Sequence, residues 1–190
     1  MTKREKMKKK VLVTGANGFI GKHFRLFMIT LGIDCYYVEK ETSDADLKRF
    51  CLDCDAVLHL AGVMRPQNVS EFYAVGNDLT DRMLTYLKAN KKKPLIVFAS
   101  SAQAILDNDY GNSKRIIEKK LTSYSLEFGN EVFIYRLTNV FGKWCRPNYN
   151  SVVSTFCNNI ANNLPIIISN ENTIVNFIYT AIGNSGKGTS

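Results

Sequence analysis

The sequence predicts an α/β fold: a parallel sheet with helices on both faces. Three observations predict it. Short runs rich in Val, Ile and Leu alternate with stretches of helical period along most of the chain. Those runs are near-continuously apolar, as strands buried on both faces are. A glycine-rich turn, "VTGANGFIG", stands between the first strand and the first helix. With 190 residues and 45% hydrophobic content, the chain can bury one sizeable core, or one domain and part of a second.

The elements follow in order. Residues 9–15, "KKVLVTG", form a β-branched run that ends in glycine, a buried strand. Residues 18–32 carry apolar side chains at helical spacing and stop at Gly32. A strand over 34–40 comes next. A short helix over 43–53 opens on a Ser/Asp cap. The run 55–62, "DAVLHLAG", is a strand that again exits into glycine. A long amphipathic helix spans 70–90, and a strand with hydroxyls at its exit spans 94–101, "PLIVFASS". The helix over 110–129 buries Ile116, Ile117, Leu121 and Tyr124 on one face, with Asp107 and Asp109 as its caps. A strand follows over 131–137, then an Asn-, Gly- and Pro-rich loop over 138–150. A helix over 151–164 and a short strand over 165–169, "PIIIS", close the periodic part. The small, polar end "TAIGNSGKGTS" reads as a disordered tail.

Composition excludes several function classes. The formal charge is +8, but the first ten residues alone, "MTKREKMKKK", hold a net +5, leaving +3 on the rest. That distribution describes a basic arm on a nearly neutral domain and no nucleic-acid groove. Thr14, Gly15, Asn17 and Gly18 interrupt the apolar run too early for a signal-peptide core. No run approaches the ~18 apolar residues of a membrane span, so a cytoplasmic protein is expected. The five cysteines are odd in number and scattered, which argues against a disulfide framework. Cys51 and Cys54 form a C-x-x-C without a second ligand pair, which reads as helix packing and no metal site. The two histidines are too few for a His-rich metal site, and His59, inside an apolar strand, reads as a hydrogen-bonded core residue.

Three constellations carry chemistry. Gly15, Gly18 and Gly21 stand between strand and helix, where glycines allow a tight turn, close backbone approach to a pyrophosphate, and close packing of helix on strand. The helix N-terminus there offers free N–H groups to phosphate. The second strand ends in Glu39 and Lys40. An acid at that point suits the ribose 2′-hydroxyl of NAD and a base the 2′-phosphate of NADP, so their order leaves both open. Third, Ser101 lies at a strand exit, near "DYGNSK". Tyr110 and Lys114 are four apart on one helix face. An ammonium beside a phenol favours phenolate, and a hydroxyl, phenol and ammonium together can polarise a carbonyl and deliver a proton to it.

The motifs "TGANGFIG", "HLAG", Ser101, "YGNSK" and "RLTNVFG" resemble, in order, those of the extended short-chain dehydrogenase/reductases that act on nucleotide sugars. The agreement runs from Lys10 to about Tyr179. Within that superfamily, "HLAGVMRP", "QAILDNDYGNSK" and "FGKWCRPNYNSVVSTFCNNIA" resemble the CapF-type capsular polysaccharide reductases. The resemblance implies a Rossmann-like doubly wound sheet with an incomplete C-terminal substrate-binding region. It implies reduction of the 4-keto group of a UDP-2-acetamido-2,6-dideoxy-hexos-4-ulose, in the synthesis of surface polysaccharide precursors, with NADP as cofactor and NAD as the alternative. Tyr110 would then be the general acid, Lys114 would lower its pKa and bind the nicotinamide ribose, and Ser101 would hold the carbonyl. Gly15, Gly18, Phe19, Ile20 and Gly21 would form the pyrophosphate loop, and Leu60, Ala61 and Gly62 would line the adenosine side. Arg65, Asn139, Asn148, Asn150 and Ser151 would touch the UDP-sugar. The long helices 70–90 and 110–129 would supply a homodimer contact.

Departures from the family pattern also shape the expectation. About fifteen residues between the second and third strands leave no room for another strand and helix, so the sheet lacks one strand of the usual set. After "NFIY" the family's aspartate pair is missing, which reads as a truncated or frame-shifted end. The expected organisation is a basic extension over 1–9, a cofactor domain over 10–150, a partial substrate region over 151–179 and a tail over 180–190. Two other functions remain open: an epimerase or dehydratase with tightly bound NAD, and a non-catalytic cofactor-binding module.

Overall fold

The computed structural model describes residues 9–62, 70–149, 151–168 and 170–180, with residues 70–75 described by their backbone. The expected basic extension falls almost wholly outside these residues, as does the expected tail beyond Thr180. The chain divides into two compact units, Met1–Arg136 and Leu137–Ser190; the boundary expected after residue 150 falls inside the second.

The first unit is a Rossmann-like α/β layer structure. Its strands are β1 (Lys10–Thr14), β2 (Asp34–Val38), β3 (Ala56–His59), β4 (Leu95–Ser101) and β5 (Val132–Leu137), in the sheet order β2-β1-β3-β4-β5. β1 pairs in parallel with both β2 and β3, and β3 with β4. No strand lies beyond β2 among the described residues, in line with the short connection from β2 to β3. The helices are α1 (Phe19–Thr30), α2 (Asp44–Asp53), α3 (Ser70–Leu87) and α4 (Asp109–Phe128).

Side chains alternate across the sheet, and this alternation divides the core. Leu12, Val38, Val57, Ile96 and Phe98 face Leu47 and Cys51 of α2, Met83, Leu84 and Leu87 of α3, and Ile117, Leu121 and Tyr124 of α4. Val13 and Leu58 face the other way, toward Phe24 of α1, with Tyr37 and Val97 beside them. The C-x-x-C cysteines belong to the first core. Both are buried, burial pushes each thiol up to about 12, and Cys54 Sγ rests on the Cys51 carbonyl.

The second unit holds β6 (Asn139–Gly142), α5 (Val152–Ala161) and β7 (Phe177–Thr180). β6 and β7 pair in parallel, Asn139 opposite Phe177. Here the structure corrects two sequence expectations. The stretch 138–150 is not all loop, because its first residues find a strand partner almost forty positions away. Conversely, 165–168 form no strand: Pro165 has no N–H to give, and Ile167 and Ile168 are exposed.

Candidate active site

Backbone crowding fixes the glycine turn. Gly15 has φ +68°, and a Cβ there would come within 2.9 Å of the Ala61 backbone. At Gly21 a Cβ would stand 2.2 Å from the Gly15 carbonyl oxygen, so α1 could not pack so close to the turn with any side chain at that position. Gly18 caps α1, with no side-chain cap and no acidic residue in the first helical turn. Phe19 and Ile20 open the helix half-buried. A bare helix N-terminus beside a glycine cradle fits a pyrophosphate. Leu60 and Ala61 follow β3 and lie against this turn, and Gly62 comes next in the chain.

Glu39 reaches the same turn: its Oε1 accepts the Asn17 N–H at 2.9 Å. Its own N–H is held by Thr42 Oγ1 at 2.9 Å. Lys40 is exposed. Of the two charges at the end of β2, the carboxylate is the one the structure fixes beside the glycine turn.

Below the turn lies a buried relay that the sequence suggested only in part, through His59. Thr14 Oγ1 accepts the N–H groups of Leu60 and Ala61, both at 3.1 Å, and bonds His59 Nδ1 at 2.7 Å. His59 Nε2 lies 3.0 Å from Thr80 Oγ1, whose proton goes to the Gly76 carbonyl at 2.6 Å. That network assigns the tautomer: the proton sits on Nε2, and Nδ1 accepts from Thr14. Burial, and then the Lys114 charge, draw the His59 pKa down to about 3. An unfolded histidine titrates near 6.5, so the unfolded chain binds the extra proton first. Stability is therefore full above ~6.5 and falls by about 1.4 kcal/mol per pH unit toward 3. Urea unfolding between about pH 6.5 and 5.5, above most of the carboxylate titration, should show this slope, and His59→Gln should remove it.

The third group stands at the end of β4. A 3₁₀ turn, Ala102–Ile105, leads from Ser101 toward α4. Asn108 caps α4 by accepting the Gly111 N–H at 2.7 Å, so the cap is neither of the two aspartates the sequence suggested. A side-chain acceptor must sit about three residues before the N–H it takes, and Asn108 has that spacing. Two residues that sequence reasoning missed close the turn onto the helix. A Cβ at Gly111 would fall 2.3 Å from the Gln103 carbonyl oxygen. Arg115 Nη1 donates to the carbonyls of Ala104 and Leu106, both at 2.7 Å.

This closure brings Ser101, Tyr110 and Lys114 together. Ser101 Oγ accepts from Gln103 N at 3.2 Å, and its hydroxyl hydrogen-bonds the half-buried Tyr110 phenol. Lys114 is buried, with Nζ 5.8 Å from the Tyr110 ring centroid, 5.0 Å from that of Phe98 and 3.2 Å from the Ala99 carbonyl it donates to. A Cβ on Gly62 would sit 3.0 Å from that Nζ, so the β3 exit and the lysine share one space. One expectation is corrected. The Tyr110 pKa is raised, because burial outweighs the Ser101 hydrogen bond that favours phenolate. Burial likewise brings Lys114 down to about 8, against an opposing pull from Glu118.

The remaining candidates belong to the second unit or lie outside the described residues. Asn139 Nδ2 donates to the Asn176 carbonyl at 3.3 Å. Asn148 adopts φ 55° and gives its N–H to Thr155 Oγ1. Ser151 caps α5 through Val153 N. Each thus has a local structural partner. Arg65 and Asn150 are outside the described residues. No helix among the described residues is long and apolar enough to cross a membrane.

Comparison with known proteins shows which family the chain resembles. The model of the NAD dependent epimerase/dehydratase family matches residues 11–181. A UDP-2-acetamido-2,6-beta-L-arabino-hexul-4-ose reductase of Pseudomonas aeruginosa is 41% identical over 171 residues, covering 90% of this chain and 46% of that protein. The capsular polysaccharide assembling protein CapF of Staphylococcus aureus has a crystal structure with 42% identity and a TM-score of 0.77, again over 90% of this chain and 46% of the other. A UDP-glucose 4-epimerase of Thermotoga maritima shares the fold at a TM-score of 0.79 and 20% identity, over 90% of this chain and 69% of the other. The chain thus spans about half the length of the first two of these relatives.

Proposed function

We propose a function from one premise: the chain belongs to the NAD dependent epimerase/dehydratase family. It reduces the 4-keto group of a UDP-2-acetamido-2,6-dideoxy-hexos-4-ulose to the alcohol, a step in making surface polysaccharide precursors. The observation that carries this reading is the convergence of Ser101, Tyr110 and Lys114 where β4 meets α4, beside the β3 exit. The 41% identity to a reductase of a keto-hexulose nucleotide supports the substrate class.

The residues divide the work as follows. A bound reduced nicotinamide supplies the hydride for C4. The Gly15, Gly18 and Gly21 turn, with Phe19 and Ile20, holds its pyrophosphate, and Leu60, Ala61 and Gly62 wall the adenosine side. Lys114 holds the nicotinamide ribose. Ser101 donates to the carbonyl oxygen and fixes its direction. Tyr110 passes its phenolic proton to that oxygen as negative charge develops there. A phenol held above its usual pKa starts in the protonated form that this role needs. Asn139, Asn148 and Ser151, with Arg65 and Asn150, are the proposed UDP-sugar contacts. A cytoplasmic setting and a homodimer through α3 and α4 complete the proposal.

The hydride carrier is NADPH on the resemblance, with Lys40 as the partner of its 2′-phosphate. The Glu39 carboxylate, fixed at the Asn17 N–H, favours a second choice, NADH, because it can accept from a ribose 2′-hydroxyl and repels a phosphate. The test follows reduced-nicotinamide absorbance with the 4-keto UDP-sugar and either carrier. One carrier oxidised per 4-hydroxy sugar formed is the expected result. Product without net oxidation would establish the epimerase or dehydratase reading instead. Calorimetric binding of carrier with no binding or turnover of sugar would leave a cofactor-binding module.

A further inference from the structure

One turn beyond Lys114 on α4 lies a carboxylate that no step above uses. Tyr110, Lys114 and Glu118 run at i, i+4 and i+8 down one stripe of the helix. Glu118 is 8% exposed. Its Oε1 accepts from Ser100 Oγ at 2.5 Å and from Arg136 Nε at 3.0 Å, and its Oε2 accepts from Arg136 Nη2 at 2.7 Å. Helix α4, the strand that delivers Ser101 and strand β5 therefore meet at one carboxylate. A forked arginine pair fixes the plane of a carboxylate as well as its charge. Arg136 and then Ser100 also hold this carboxyl below the usual carboxylate range, so it is ionised at neutral pH.

The charges around Lys114 can be named element by element. From β3 comes His59, buried and neutral. From β4 come the Ala99 carbonyl and the Phe98 ring, both uncharged. From α4 itself come the Tyr110 phenol and Glu118. From β5 comes Arg136, through Glu118, and from α3 comes Thr80, through His59. Among the described residues, Glu118 is thus the negative charge in this set, and Arg136 shares it.

We propose that Glu118, clamped by Ser100 and Arg136, is a positioning residue that keeps Lys114 charged beside Tyr110, with Arg136 setting the strength of that hold. The proposal concerns a charge in the chain itself and rests on the proposed reductase reading only for its effect on turnover. Two substitutions should act in opposite directions. Glu118→Gln keeps an acceptor for Ser100 but removes the charge that favours the ammonium. Arg136→Gln frees the carboxylate from its counter-charge, so it acts more strongly on Lys114.

The test is a pH titration by NMR of protein carrying ¹³Cε-labelled lysine, without cofactor, with the Lys114 resonance identified by its loss in Lys114→Arg. The parent midpoint should lie near 8. Glu118→Gln should lower it by about one pH unit, and Arg136→Gln should raise it. The basic limb of the kcat/KM profile should move the same way in each variant. A merely structural role would lower stability and leave the midpoint in place. Unmoved midpoints, or shifts in one common direction, would overturn the proposal. If circular dichroism shows Glu118→Gln unfolded, Arg136→Gln decides alone: an upward shift supports the proposal, and none or a downward one ends it.

Discussion

Tyr110→Phe leaves the chain folded and lowers turnover of the keto-sugar by about 10²–10⁴-fold, the range lost with a positioned general acid. The substitution removes one oxygen and nothing else. The phenyl ring still packs where the phenol does, and Lys114 keeps its place 5.8 Å from the ring centroid. What disappears is the proton donor and the acceptor for the Ser101 hydroxyl. The glycine turn is untouched, so carrier affinity by calorimetry should match the parent's. A folded variant that turns over the sugar at the parental rate would take Tyr110 out of the chemistry. Reduced affinity with normal kcat would mean that the phenol binds and does not donate.

Lys114→Met separates stability from activity. A lysine 6% exposed, with its pKa brought from 10.5 to about 8, burdens the folded state at neutral pH by about 3 kcal/mol. Losing the hydrogen bond to the Ala99 carbonyl offsets about 1 kcal/mol of the gain, so the methionine variant should be more stable by about 2 kcal/mol at pH 7. The sign depends on pH in a defined window. Below about 8 the lysine is protonated in both states and its full burden is present. Between 8 and 10.5 the folded lysine is neutral while the unfolded one is still charged, so the parent gains stability as pH rises. Urea denaturation at pH 7 and again near 10 should show the difference between parent and variant shrinking. Turnover should fall to the background of the Tyr110→Phe variant, because the ribose loses its ammonium. A variant less stable at pH 7 would show that the lysine's packing outweighs its desolvation.

The parts of the site that were legible in the sequence are those held by local rules. Three glycines between a strand and a helix, and a tyrosine four residues before a lysine, carry their geometry in their spacing. So does the alternation of apolar strands and amphipathic helices, which predicted the sheet and its helical cover. Most of the misreadings share a cause, since they depended on burial or on contacts distant in sequence. β6 became a strand because β7 lies beside it. The isoleucines at 166–168 have strand character in composition, but among the described residues they gain no ladder partner. The rise in the Tyr110 pKa follows from burial, which a four-residue motif does not contain. Glu118 drew no notice because its significance comes from Arg136, eighteen positions on and in a different element. The Asn108 cap was a matter of register: three polar residues in a row offered the same chemistry, and the helix start chose among them.

Among the described residues the five-stranded sheet stops at β5, which carries the half-exposed Phe133 and Tyr135. An unpaired edge that also displays aromatic rings invites strand-to-strand adhesion between molecules. What opposes that adhesion is mutual repulsion from a net charge of +8, five of which the first ten residues carry. The repulsion is screened within ~10 Å at 0.1 M salt and more tightly above it. Association of two such edges is therefore expected to depend on ionic strength, weak in dilute buffer and stronger in concentrated salt.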